Sequence, residues 1–410
     1  MIHKIISASL SPNTESDDVL CALRTLVRPW QWKRGGAIFE VISWFEKRFP
    51  NSKAFAYNSG RAAMTDILTA FGIGKGDDVL VQSYTCVAVP NSVLWATATP
   101  IYVDIDDTLN MDLDDAAKKI TKKTKAIVVQ HTLGLPANMS DIAAFVKKHN
   151  LIVIQDCAHS LGALSDGKDI GLFGDAAFFS FGRDKVLSSV FGGIAIVHTT
   201  HKTSIEIMNI RSKALPDAPI EWIFQQLVHP LIFSIVLPLY TLGIGKAILW
   251  LFQKLRLVAS PVYAVEKEGK KPTVFPSRYP NALATLLFTQ LPKLERYNAH
   301  RKDIAALYTA ALKKFQHITF LSYPEGSIFL RFPILVVDPE KLIARAKKQG
   351  ILLGNWYHNT IDPVGVNFSA IGYKKGSCPH AEHISHHIVN LPTNISEAEA
   401  WRIVELLKVA

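Results

Sequence analysis

Between residues 53 and 199 short β-rich runs alternate with helical stretches, and this alternation restricts the fold more than any other feature of the chain. The runs are DVLVQSY (78–84), PIYVDID (100–106), AIVVQHT (126–132), LIVIQD (151–156), AAFFSF (176–181) and GIAIVHT (193–199). The segments 61–71, 87–98 and 140–149 carry apolar residues at helical spacing, as at Ile142, Phe145 and Val146. Runs that are apolar on both faces and separated by helices predict a mostly parallel sheet covered on both sides, an α/β core. In such sheets ligands bind beyond the carboxyl ends of strands, so the residues just after each run are the first candidates for chemistry.

Composition narrows the class. With 49% hydrophobic and 20% charged residues, and ordinary usage of Gly (23) and Pro (21), disorder and a fibrous repeat are excluded. The 410 residues suggest two or three domains. Cys21, Cys86, Cys157 and Cys378 lie far apart with no CxxC pair, which points to a reducing compartment. The opening MIHKIISASLSPNTESDD holds too short an apolar stretch for a signal peptide, so a cytoplasmic location is expected. A net charge of +10 would suit nucleic acid, but the Lys pairs are scattered without interleaved aromatics, and nucleic acid is not an expected partner.

Residues 222–245 contain no Asp, Glu, Lys or Arg, and the apolar AILWLFQKLRLVA follows. The run is long enough to span a bilayer. Pro230 and Pro238 would kink or break such a helix, however, and a single crossing would separate two halves of one fold. The segment 219–258 is therefore expected as a re-entrant or interfacial helical hairpin, making the protein peripheral or monotopic on the inner face of the membrane. Trp222, Tyr240 and Trp250 would sit at headgroup level, with Lys246, Lys254 and Arg256 toward anionic lipid. The competing reading is a dimer or interdomain contact that buries the same surface. From about 276 the pattern is mixed again: a helical stretch 281–315, FLRFPILVV (329–337), and helices near 339–349 and 396–408. This divides the chain into an N-terminal arm and large domain (1–275) and a smaller α+β domain (276–410).

Two motifs carry little. Gly72-Ile-Gly74-Lys-Gly76 follows a helix and leads into a strand, the reverse of a phosphate loop, and reads as a turn. His380, His383 and His387 share a helical face, but their spacing matches no zinc pattern, and no metal is expected.

The informative residues follow the strand ends. LIVIQD ends in Asp156, three residues before His159; AAFFSF ends in Ser180 and Phe181, followed by Gly-Arg-Asp-Lys185 and Gly192-Gly193. A carboxylate at one strand end and a lysine past the next are what a pyridoxal phosphate site requires. The lysine forms the Schiff base, and the acid keeps the pyridine nitrogen protonated. Upstream, Asn58-Ser59-Gly60-Arg61 opens a helix whose free N–H groups and dipole suit a phosphate. Spacing alone leaves a second reading open, with Asp156 a helix cap and Lys185 a surface lysine.

The run from Asn58 to Gly193 resembles the DegT/StrS sugar aminotransferases, fold-type-I pyridoxal-phosphate enzymes. The resemblance rests on NSGRAAM, SYTCVAVPN, PIYVDID, TKAIVVQHTLGLPANM, IQDCAHSLGA, GDAAFFSFGRDK and FGG. It continues with Arg278 before Gln290-Leu291, Arg301-x-x-Ile-Ala-x-x-Tyr308, Cys378-Pro-x-Ala-Glu382 and NLPTNI. It implies a fold-type-I architecture interrupted by the apolar helical insertion, with Lys185 as the Schiff-base lysine and Asp156 facing the pyridine nitrogen. His159 would lie near the ring, Ser59, Gly60, Arg61 and Ser180 at the phosphate, and Arg278 would come from the partner subunit of a homodimer with a shared site. Cys86 stands where most members carry a ring-stacking aromatic, and Pro276 where an Asn normally contacts the phosphate.

The activity this implies is transfer of an amino group from an amino acid, glutamate foremost, to a nucleotide-linked keto sugar in surface glycan or related biosynthesis. A lysine rather than a histidine at 185 favours transamination over dehydration. The alternatives are a non-catalytic, membrane-associated regulatory descendant, or another pyridoxal chemistry on a lipid-associated substrate.

Overall fold

The computed structural model describes residues 5–408 apart from 12, 241, 242 and 256, so Arg256 lies outside the described residues. Seven strands form the central sheet, in the order Ser52–Tyr57, Gly193–His198, Ala176–Ser180, Ile152–Asp156, Thr124–Gln130, Asp78–Gln82 and Thr99–Val103. Gly193–His198 runs antiparallel to both neighbours; the other pairs are parallel. This is the mostly parallel α/β sheet that the sequence predicts. Successive side chains feed opposite faces, as the two-residue period of a strand demands. Val79, Val81, Ala126 and Val128 enter one core, and Leu80, Ile127 and Val129 the other.

The uncharged run folds into two helices, Ile220–Val236 and Ile244–Lys254, with Pro230 inside the first. The first buries Trp222, Ile223 and Leu227 in the core that holds Phe45, Phe179 and Leu283. Its second half packs Ile232, Phe233 and Val236 against Ile248, Leu249 and Phe252 of the other helix. Trp222 is thus not at a surface: it is buried and its indole donates to the Tyr263 hydroxyl at 2.8 Å. Much of the apolar character of this helix is accounted for by contact with the rest of the chain. The second helix leaves Ile244, Trp250, Leu251 and Leu255 exposed. Among the described residues no helix is long and apolar enough to cross a membrane.

The stretch expected as one helix at 281–315 is two, Asn281–Gln290 and Leu294–Leu312, separated by a 3₁₀ turn around Pro292, which cannot supply the N–H that a continuous helix needs. A second, antiparallel sheet of Ile318–Thr319, Phe332–Val336 and Ile388–Leu391 shares its apolar core with Leu294–Leu312 and Glu397–Leu407. A short parallel pairing of Ile361–Asp362 with Thr85–Cys86 brings the 354–363 segment to the carboxyl end of the main sheet.

Candidate active site

At that end lies a cavity of about 560 Å³, lined by Ser59, Gly60, Arg61, Cys86, Asp156, His159, Ser180 and Lys185, eight of the residues singled out in the sequence. Two glycines make the close packing here possible. A Cβ on Gly60 would stand 2.9 Å from the Ser180 Cβ, and one on Gly193 would stand 2.4 Å from the Ser59 carbonyl. The start of helix Gly60–Ala70 is thereby seated directly over the strand ends. Ser59 caps this helix, its hydroxyl accepting from the Ala62 N–H. The amides of Gly60 and Arg61, the first two of the helix, have no intrahelical acceptor and are available to an anion.

Asp156 ends its strand buried, with one oxygen accepting from the Ala158 N–H at 3.0 Å. Burial pushes its carboxyl up to about 6. A buried carboxylate of this kind gains by meeting a cation in the cavity, as a protonated ring nitrogen would be.

Lys185 reaches the cavity from the loop after Ser180. Its Nζ lies 2.8 Å from His159 Nε2 and 5.2 Å from the centre of the Trp356 ring. Burial depresses the amine's pKa. His159 Nδ1 accepts the Leu133 N–H at 3.3 Å. A neutral imidazole with Nδ1 accepting carries its proton on Nε2, and burial holds His159 neutral. Nε2–H therefore donates to Lys185 Nζ, which must be an uncharged amine to accept. The loop is braced from below: Asn13 donates to the Lys185 carbonyl, Arg301 to the Val186 carbonyl at 2.9 Å, and the Ser188 N–H to Gln290 at 2.8 Å. The Gln290 and Arg301 motifs thus support the lysine from a distance.

Two predicted residues are placed differently from the others. The Arg61 guanidinium is taken up by the buried Glu266 carboxylate and by the Pro261 carbonyl at 2.8 Å, so in this chain its charge is already answered. Arg278 is outside the cavity; it donates to the Leu215 and Lys213 carbonyls and approaches Asp217 at 3.9 Å. His380 meets Asp107 at 3.4 Å while the His383 and His387 rings face one another at 4.3 Å.

Trp356 and Tyr357 escaped the sequence reading. Both line the cavity, and their rings stack on His159 at 5.5 and 6.2 Å. They are brought beside Cys86 by the short pairing at Asp362, a contact across 276 residues of chain that no local pattern announces. The aromatic cluster in GNWYHN was the one available signal.

A neutral amine, a buried acid and a helix start with free amides, all facing one cavity, form a donor set that fits pyridoxal phosphate.

Comparison with known proteins agrees. The model of the "DegT/DnrJ/EryC1/StrS aminotransferase family" matches residues 16–218 and 255–408 and passes over 219–254, the two apolar helices. A "Pleiotropic regulatory protein" of Geobacillus stearothermophilus is 28% identical over 354 residues, 85% of this chain and 82% of that protein. A "GDP-perosamine synthase" of Escherichia coli O157:H7 is 38% identical over 162 residues, 38% of this chain; the match spans less than half (44%) of that protein. The crystal structure of a DegT DnrJ EryC1 StrS aminotransferase from Brucella abortus superposes with a TM-score of 0.71 at 22% identity, covering 96% of this chain and 95% of the other.

Proposed function

Because this chain belongs to the DegT/DnrJ/EryC1/StrS aminotransferase family, pyridoxal-phosphate enzymes, we propose that it transfers an amino group from an amino acid, glutamate foremost, to a nucleotide-linked keto sugar. The observation that carries this reading is the convergence of Lys185, Asp156 and the Gly60 helix start on one cavity. The retention of all three in working geometry speaks against a decayed, non-catalytic descendant.

When bound, pyridoxal phosphate supplies an electron sink for the pair left on the donor's α-carbon. Lys185 would hold the cofactor through Nζ, and the same uncharged Nζ would serve as the base that takes and returns the donor's α-carbon proton. His159, its tautomer fixed by Leu133, donates to Nζ and holds the lysine as an uncharged amine. Asp156 holds the ring nitrogen, and its burial favours the paired, charged arrangement over an isolated carboxylate. Ser59, the Gly60 and Arg61 amides and Ser180 receive the phosphate. Trp356 and Tyr357 supply the aromatic wall that Cys86 cannot.

The same proposal includes a homodimer in which Arg278 serves the partner's site, since its own cavity lies out of its reach. The segment carrying Arg34, which pairs with Asp217 beside Arg278, also exposes Trp30 and Phe39, apolar surface suited to a second copy. We draw the boundary between the domains within Leu294–Leu312, whose first turn packs with the large core and whose later turns pack with the small sheet. The exposed face of Ile244–Lys254, where Trp250 is flanked by Lys254 at 5.1 Å, suits the surface of an anionic membrane and a role in surface glycan synthesis.

Mass spectrometry of products after incubation with glutamate and a panel of nucleotide-linked keto sugars tests the activity. A product in which a sugar carbonyl has become an amine, with 2-oxoglutarate in equal amount, is expected. Turnover of glutamate with no aminated sugar across the panel would contradict the substrate class.

A further inference from the structure

A buried cation stands behind the aromatic wall of the site. Arg331 precedes the strand Phe332–Val336 and is 1% exposed, and its guanidinium lies 3.5 Å from the centre of the Trp356 ring. Gly354 leaves the room for it: a Cβ there would come within 3.1 Å of Arg331 Nη1. The carboxylate it pairs with is Asp184, at 3.4 Å, and its Nε is sealed from solvent with no acceptor among the described residues. A buried cation with so few partners is costly, and a leucine or methionine could pack against Trp356 without that cost. Packing alone therefore does not explain the charge.

Both contacts of Arg331 lead to the same lysine. Trp356 lines the cavity, its ring lies within 13° of parallel to His159 at 5.5 Å, and Lys185 Nζ is 5.2 Å from its centre. The Trp356 N–H donates to Asn390 Oδ1 at 2.8 Å, and Gly354 pairs with Asn390 through two backbone hydrogen bonds, which fixes the segment that carries the ring. Asp184, the other contact, is next to Lys185 in the chain and also lines the cavity. Burial is the largest influence on the Lys185 amine and lowers its pKa; Asp184, Cys86 and Asp156 act the other way, Asp184 most, and Arg331 acts with burial. At His159 burial again comes first, and the charges of Lys185 and Arg331 add to it.

We propose that Arg331 is a positioning residue for the Lys185–His159 pair, holding Trp356 against the imidazole and answering the Asp184 carboxylate that would otherwise favour Lys185 as an ammonium. This role rests on the reading of the cavity as a pyridoxal-phosphate site, in which Nζ must be uncharged to accept from His159. A planar cation can lie against an indole and still meet a carboxylate with its edge, which a leucine cannot do and the point charge of a lysine does less well. Neither task needs a surface open to the cavity.

Trace labelling of the apo-protein with acetic anhydride across pH, with the Lys185 peptide quantified against an exposed lysine, reads the titration of this amine without cofactor or turnover. It is carried out on wild type, on Arg331→Gln, which keeps a planar donor and loses the charge, and on Arg331→Lys, which keeps the charge and loses the plane. Wild-type Lys185 should titrate below the ordinary lysine value of about 10.4. Arg331→Gln should raise the midpoint and slow labelling at pH 8 by about threefold to tenfold, and Arg331→Lys should recover most of that rate. A merely structural role would lower the apo Tm and leave the midpoint in place. An unmoved midpoint in folded Arg331→Gln, or an equal rise in both variants, would overturn the role of Arg331. If Arg331→Gln does not fold, a wild-type midpoint at or above about 10.4, or one that rises in folded Arg331→Lys, would still overturn it. Borohydride reduction of the cofactor-loaded wild type keeps the two claims apart. An adduct on Lys185 leaves the site reading intact where the role of Arg331 fails, and no adduct there overturns the reading and the role with it.

Discussion

Lys185 Nζ and His159 Nε2 lie 2.8 Å apart, and the proton between them belongs to the histidine. The Leu133 amide occupies Nδ1, so the imidazole donates and the lysine accepts as a free amine. Burial depresses both groups' pKa values, which favours the same neutral pair.

Removing the histidine donor should make Lys185 more basic. A hydrogen bond to the neutral amine is worth about 1 kcal/mol, or roughly 0.7 of a pH unit. His159→Phe, which keeps a ring against Trp356, should move the rising limb of the kcat profile to higher pH by about that much. A limb that stays in place would contradict the donor role of Nε2, and one that moves to lower pH would show that Nε2 is the acceptor.

Asp156 presents an opposition between stability and turnover. Its folded pKa of about 6 exceeds the ordinary 3.8, so the folded state holds the proton more tightly. Apo-protein stability should therefore fall as pH rises through this window, by up to about 3 kcal/mol. Asp156→Asn should raise the apo Tm near pH 8, leave it unchanged below about pH 4, and lose nearly all turnover. An apo Tm lowered at pH 8, or wild-type activity, would mean that Asp156 is only a structural cap.

Both results bear on what the sequence makes legible. Strand-end chemistry is local: Asp156, Ser180 and Lys185 follow apolar runs whose pattern announces the sheet, and all three line the cavity. What depends on distant chain segments was hidden. Glu266 captures Arg61 from 205 residues away, and Trp356 reaches His159 only through the pairing of Asp362 with Cys86. The apolar run was visible as unusual, but a charge-free segment reads alike whether lipid or protein covers it. Trp222, Ile223 and Leu227 are covered by protein because the helices Ser16–Leu26 and Asn281–Gln290 lie beside them.

A shared active site has its own signature. Arg278→Ala should fold and bind cofactor weakly, and Lys185→Ala should be inactive. Mixing them should restore up to about a quarter of wild-type activity, because a randomly mixed dimer can hold one site with neither change. No recovery in dimers shown to exchange subunits would contradict the partner role of Arg278.

Membrane contact, if it is a property of Ile244–Lys254, should depend on that helix's exposed side. Trp250→Asp with Leu255→Asp should abolish sedimentation with anionic liposomes and leave the far-ultraviolet circular dichroism unchanged, since both side chains stand in solvent. Wild-type protein that ignores such liposomes would instead point to a protein contact on this face.

The central claim is that Lys185 holds pyridoxal phosphate, and borohydride reduction of the cofactor-loaded protein followed by peptide mapping tests it most directly. The account predicts a single reduced pyridoxyl adduct on the peptide containing Lys185, which disappears when glutamate is added before the borohydride. An adduct on any other lysine, or none on the Lys185 peptide, would contradict it.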